Sequence, residues 1–195
     1  MPIERHGTRH VVNLENLPEW YPTHIQDTKF WEALGRTVAT YGFLEETLGK
    51  AIFAFTATRE FADDEIPAAF EKWCGQLPAM LSDSLGSLIE KYDIAVRNHS
   101  EETIGGIDEL ISDLREAKRL RDVICHGSWQ KPDEYGRSIP FFVNRKIEIF
   151  QEPVNDQYLD QVRRHVVDLA CSVISSVTYM GWQFPSSGGP GYSIV

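Results

Sequence analysis

The stretch RLRDVICHGSW, residues 119–129, sets Arg121, Asp122 and His126 close together and then runs into Gly127. Asp122 and His126 are four residues apart, so on a helix they occupy adjacent turns of one face, where carboxylate and imidazole can hydrogen-bond or share charge. Arg121 and His126 point roughly 140° apart on an ideal helix, so a shared target requires the arginine to curl or the helix to end at His126. Gly127 suits such an ending, because glycine readily takes the left-handed C-cap conformation. A histidine in the last turn could exchange protons near neutral pH. An arginine beside it could bind a phosphodiester or stabilise the charge of a pentavalent phosphorus, with the histidine as general acid or base. The same spacing also describes a C-capping histidine with an Asp–Arg surface pair and no chemistry at all.

Charge is distributed unevenly around this stretch. The 195 residues carry a formal net charge of -10, with 42% hydrophobic and 25% charged residues. Residues 1–113 hold 9 Lys/Arg against 20 Asp/Glu, a net of -11, whereas residues 114–195 hold 10 against 9, a net of +1. The acidic total argues against a surface that coats nucleic acid generically. Arg115, Lys118, Arg119 and Arg121 nevertheless make the approach to His126 locally basic, and Arg115 and Lys118 are candidates to hold a phosphate or RNA backbone. Charge runs on helices also serve simply as solvated faces.

Two other local patterns carry less. RHG at Arg5–Gly7 matches a histidine-phosphatase signature, but no strand precedes it and no alternating strand–helix pattern follows. His6 and His10 have the spacing of a helical metal pair, yet Gly7 and the lack of helical periodicity point to an exposed arm. No phosphate-cradling glycine loop or nucleophile elbow appears, and neither a metal nor a cofactor is expected. Cys74, Cys125 and Cys171 are odd in number and widely separated among apolar residues, so they are expected to be buried, reduced thiols.

The elements that must position the motif are mainly helical. From about Asp27, the residues Phe30, Leu34, Val38, Tyr41, Leu44, Leu48, Ile52 and Phe55 recur every three or four positions, which predicts one long amphipathic helix. Residues 66–92 predict one or two helices, opened by Pro67 and broken near Pro78. A third block is expected to start at a Ser100 cap, with Gly105 and Gly106 bending or delaying it. It carries Ile107, Leu110, Ile111, Leu114 and Cys125 toward Gly127. A fourth runs from an Asp156 cap through Leu159, Val162, Val166, Leu169, Val173, Val177 and Met180. Between them, alternation around Ile139, Phe141, Val143, Ile147 and Ile149 predicts a small β-hairpin over about 137–150, with Pro140 on an edge. The expected organisation is an N-terminal arm at 1–26, a single helical domain at 27–184 and a flexible tail at 185–195. No run is apolar and long enough for a membrane span, and the opening MPIERHGTRH lacks a signal peptide's apolar stretch, so a cytoplasmic location is expected.

RDVICH, Arg121 to His126, fits the R-x4-H motif of the HEPN superfamily, with the polar residue that commonly follows the arginine present as Asp122. YGFLEETLGKAI, Tyr41 to Ile52, resembles the first-helix pattern of HEPN-like proteins. The continuation CHGSW, a short hairpin and a last long helix are similar to HEPN relatives of unassigned function. The resemblance spans roughly 27–182 and is strong at the two quoted patches. It implies a helical bundle that commonly dimerises with two R-x4-H motifs facing one cleft. It also implies a metal-independent ribonuclease of toxin–antitoxin, phage-defence or RNA-processing systems, or an inactive binding relative. On matched positions, Arg121 would contact the scissile phosphate, His126 would handle protons and Asp122 would orient or polarise them. Toxins paired with nucleotidyltransferase antitoxins often carry a tyrosine two residues after the histidine; this chain has Ser128 there.

Three readings therefore stand. One is an endoribonuclease that cleaves single-stranded RNA to 2′,3′-cyclic phosphate ends; another is a catalytically silent HEPN-like module binding RNA, a nucleotide or a protein such as an antitoxin. The third is an unrelated helical interaction protein. The nuclease reading expects a homodimer, because one Arg–His pair supplies one proton-transfer group and in-line cleavage benefits from two. Glu45 falls on the apolar face of the first helix, where a carboxylate is unfavourable unless paired or able to reach water at the edge. Its first candidate partner is Arg121, which it would help to position.

Overall fold

The chain is described here by a computed structural model covering residues 10–59, 61–99 and 103–189, with the side chains of 76–81 not described. Arg5–Gly7 with His6, the Ser100–Glu102 cap and residues 190–195 lie outside the described residues. Among the described residues five α-helices form the fold: α1 (Thr28–Ala57), α2 (Ile66–Ser82), α3 (Leu85–Arg97), α4 (Ile107–His126) and α5 (Asp156–Thr178).

The long helix α1 begins where Asp27 accepts the Phe30 N–H at 2.8 Å, which satisfies one of the free donors of its first turn. Its stripe is buried at Phe30, Tyr41, Leu44, Leu48, Ile52 and Phe55, but Val38 is exposed and Thr37 is fully buried instead. The exchange works because the Thr37 hydroxyl is shared between the Ala33 carbonyl at 2.8 Å and the Leu159 carbonyl of α5 at 3.1 Å. That second contact crosses the main helix pair, since α1 and α5 pack extensively on one another. On α5, Leu159, Val162, Val166, Leu169, Val173 and Val177 are all buried. Its cap is Asn155, whose side chain accepts the Tyr158 N–H at 2.9 Å, so Asp156 is the first helical residue and not the cap.

The remaining boundaries also depart from the periodicity. Helix α2 continues through Pro78, and the break falls instead at Asp83–Ser84, where Ser84 caps α3. Helix α4 begins at Ile107 because Gly106 occupies the left-handed region at φ 82°, which glycine takes without the Cβ clash other residues meet. Helix α3 packs on both α1 and α4. None of Cys74, Cys125 and Cys171 is a buried core thiol: all three are exposed. On α4, Val123 and Ile124 fill the core where Cys125 was expected to.

No strand forms among the described residues, so the expected hairpin at 137–150 is absent as a ladder. Isolated antiparallel bridges join Ser128 to Phe141, Ser138 to Val154 and Val143 to Ile149. Ser138 and Phe141 thus pair with residues outside the expected hairpin, and Pro140 between them has no N–H with which to extend either bridge. A turn does form, since the Asn144 side chain accepts the N–H groups of Lys146 and Glu148. The end of the N-terminal arm is anchored: Trp31 donates to the Thr23 carbonyl at 2.8 Å and Gln26 to the Gln130 carbonyl at 2.9 Å. The described start of the tail turns back on Phe184, which is buried. No helix of the described residues is long and apolar enough to cross a membrane.

Candidate functional site

The core-facing stripe of α4 explains where Arg121 goes. Leu110, Leu114, Ala117 and Ile124 are buried, and Arg121 falls between the last two at the same three- and four-residue spacing. Its side chain is therefore carried into the α1–α4 interface, where Glu45 occupies the corresponding position on α1. The Arg121 Nη2 lies 3.5 Å from Glu45 Oε1, with both side chains less than one-third exposed (28% and 29%). Two half-buried opposite charges on facing stripes compensate one another, which neither could do against an apolar neighbour.

Asp122 flanks this pair. Its Oδ1 is 3.7 Å from Arg121 Nη1, and its Oδ2 accepts from Lys118 Nζ at 2.6 Å, one turn back on the same helix. Glu45, Lys118, Arg121 and Asp122 thus form one cluster of alternating charge. Above it, Tyr41 is buried and donates to the Ala117 carbonyl at 2.9 Å. Burial holds the Tyr41 phenol well above its ordinary range. Cys125 is exposed as a residue, yet partial burial of its thiol pushes its pKa upward while Arg121 pulls the other way. A raised pKa leaves less of the nucleophilic thiolate than an ordinary cysteine holds.

His126 stands apart from this cluster. It is the last residue of α4 and is exposed, and among the described residues no hydrogen bond or ion pair engages its imidazole. Asp122 is turned to Lys118 and Arg121 and not to His126. Helix α4 stays helical to His126, so the wide angular separation of Arg121 and His126 persists within one copy. Gly127 caps the helix in extended backbone (φ -71°, ψ 139°) and not in the left-handed region. Its requirement for glycine is one of space: a Cβ there would come within 2.6 Å of the Val123 carbonyl and 2.8 Å of Pro140 Cβ. The 137–150 segment is thereby pressed against the end of α4, next to His126.

The other basic residues of α4 are committed elsewhere. Arg115 makes a two-pronged contact with Glu90 of α3, both bonds at 2.9 Å, and also reaches Asp93 at 3.2 Å. That pairing draws the Glu90 carboxyl below its usual range. Arg119 pairs with Glu116 at 2.7 Å and Glu152 at 3.5 Å and lies over the Phe150 ring. Arg121 differs from all three: among the described residues its guanidinium makes no hydrogen bond, only the two longer ion pairs. Sequence spacing alone did not single out Glu90, Asp93 and Glu152, because they reach α4 from other elements. Among the described residues no three His, Cys, Asp or Glu side chains are grouped to hold a metal ion. No family model, curated protein or solved structure matches this chain.

Proposed function

We propose that the protein is an endoribonuclease that acts on single-stranded RNA as a homodimer, without a divalent metal, and leaves 2′,3′-cyclic phosphate ends. The observation that carries this reading is that Arg121 and His126 retain unused hydrogen-bonding groups at the same end of α4. Within one copy the two side chains diverge, so a cleft built from two helix ends is needed to bring both onto one phosphate. One His126 then removes the 2′-hydroxyl proton, its symmetry mate protonates the leaving 5′-oxygen, and Arg121 neutralises charge on the phosphorane. A single strand supplies the flexibility to align hydroxyl and phosphorus, which a duplex resists. Glu45 and Asp122 position Arg121, and Lys118 holds Asp122.

Exposed apolar side chains on the segment that follows α4 support the two-fold arrangement. Phe141 is 64% exposed and Ile147 82%, on the segment that Gly127 and Pro140 press against α4. Covering such side chains with the same face of a second copy removes them from water on both sides. The HEPN resemblance places such enzymes in toxin–antitoxin or phage-defence systems, where an antitoxin protein is the natural second partner and the cytoplasm the natural location.

A specific observation favours a second reading, a catalytically silent module that binds RNA, a nucleotide or a protein. Arg115, Lys118, Arg119 and Arg121 each face at least one carboxylate, which cancels the basic approach the sequence implies. Incubation of end-labelled single-stranded RNA with pure protein in the presence of a chelator separates the two. Cleavage to cyclic phosphate ends, abolished by His126→Ala and accompanied by weaker RNA binding in Arg121→Ala, is the expected result. Cleavage that survives His126→Ala or vanishes with the chelator refutes the mechanism. RNA binding without cleavage establishes the silent module in its place.

A further inference from the structure

The C-terminal part of α1 combines with α2 and α3 to wall a cleft of about 810 Å³. That volume lies within the range of small-molecule sites, about 300–1,000 Å³. The wall is aromatic and aliphatic: Phe55, Phe61, Phe70, Trp73 and Ile94 all line it. It is also preformed, because the Trp73 indole donates to the Thr56 hydroxyl at 3.1 Å and its ring packs on Phe53 at 5.0 Å. Several lining side chains remain open to water, with Phe70 63% and Ile94 61% exposed.

The charged groups on this wall are all of one sign. Among the described residues, Arg59, Lys72 and Lys91 line the cleft and no carboxylate does, in a chain whose net charge is -10. Lys91 is paired with Asp83. Arg59 lies over the Phe61 ring, and among the described residues neither Arg59 nor Lys72 has an ion-pair partner. This contrasts with α4, where every lysine and arginine is matched. An apolar wall rimmed by two unmatched cations complements a molecule with an apolar body and one anionic head.

We propose that this cleft binds a free long-chain carboxylate, its chain along Phe55, Trp73 and Ile94 and its carboxylate at Arg59 and Lys72. The hydrophobic part supplies most of the binding, and the two cations select the anion over a neutral molecule of equal length. This site is separate from the α4 cluster and does not depend on the nuclease reading.

The test is calorimetric titration of the full chain with monomeric dodecanoate and, separately, with dodecan-1-ol. Dodecanoate is expected to bind at least tenfold more tightly than the alcohol. The exposed pair Arg59→Gln/Lys72→Gln should remove that preference and leave alcohol binding unchanged. Ile94→Trp, which fills the cleft from an exposed position, should weaken both. Equal affinity for acid and alcohol, an unchanged acid affinity in the double variant, or no binding of either overturns the proposal. Concentration-dependent dimerisation that Ile94→Asp abolishes, with no dodecanoate binding, also overturns it and gives the cleft to a second copy.

Discussion

Replacement of Gly127 by alanine opposes two physical effects of different sign. The backbone there (φ -71°, ψ 139°) is open to any residue, so conformational entropy alone predicts that alanine stabilises by about 0.4–1 kcal/mol. Packing predicts the reverse. The added Cβ would stand 2.6 Å from the Val123 carbonyl and 2.8 Å from Pro140 Cβ, where ordinary contact begins at 3.4 Å. Neither neighbour is the free end of a flexible side chain. The Val123 carbonyl also accepts the Gly127 N–H at 2.8 Å, so retreat of the helix end costs that capping bond. Overpacking of this kind costs about 1–3 kcal/mol, and a chain of this length loses about 2–4 °C in Tm per kcal/mol. Thermal denaturation followed by circular dichroism should therefore show Gly127→Ala melting several degrees below the parent. Gly42→Ala, with nothing within 4 Å of its added Cβ and a mid-helix position in α1, should melt higher by a degree or more. A Gly127→Ala protein as stable as the parent would refute the claim that close approach of the Val123 carbonyl and Pro140 requires glycine at this position.

Three further outcomes follow from the packing. Thr37→Val keeps the shape but removes the hydroxyl shared by Ala33 and Leu159, and chemical denaturation should show a loss of about 1 kcal/mol; no loss would mean the hydroxyl does not link α1 to α5. A double-mutant cycle of Glu45→Ala and Arg121→Ala should give a coupling of about 0.5–1 kcal/mol, the range of a partly exposed pair at 3.5 Å, and zero coupling would remove Glu45 as a positioning residue. Burial pushes the Tyr92 phenol, hydrogen-bonded to Ser176, up from 10.0 to about 12. The folded state therefore holds the neutral form, and the stability that Tyr92 contributes is complete below pH 10 and lost as pH rises through about 12. Tyr92→Phe should be less stable at neutral pH yet lose less stability than the parent across that alkaline window; an identical slope in both proteins would discount Tyr92.

The long apolar periods of α1 and α5 were legible in the sequence because one buried stripe repeated over many turns overwhelms local exceptions. The motif at Arg121, Asp122 and His126 was equally legible as residue types and spacing. Glu45 stood out because a carboxylate on an apolar face requires an explanation. The spacing did not settle whether Asp122 would turn to His126 or to the basic residues before it. Lys118 and Arg121 hold it, and Arg121 is also paired with Glu45 of α1. Nor could periodicity place Arg115, since its two acidic partners come from α3, more than twenty residues away. The hairpin alternation was present in the residues, but strand pairing is decided by which backbone donors and acceptors meet. Phe141 and Ser138 pair with Ser128 and Val154, and Pro140 has no N–H to offer. The sequence by itself determined the helical class and the chemistry available at the end of α4. Only the tertiary structure decided the partners that reach α4 from other helices, because such an ion pair needs two side chains within a few ångströms and sequence distance does not measure that.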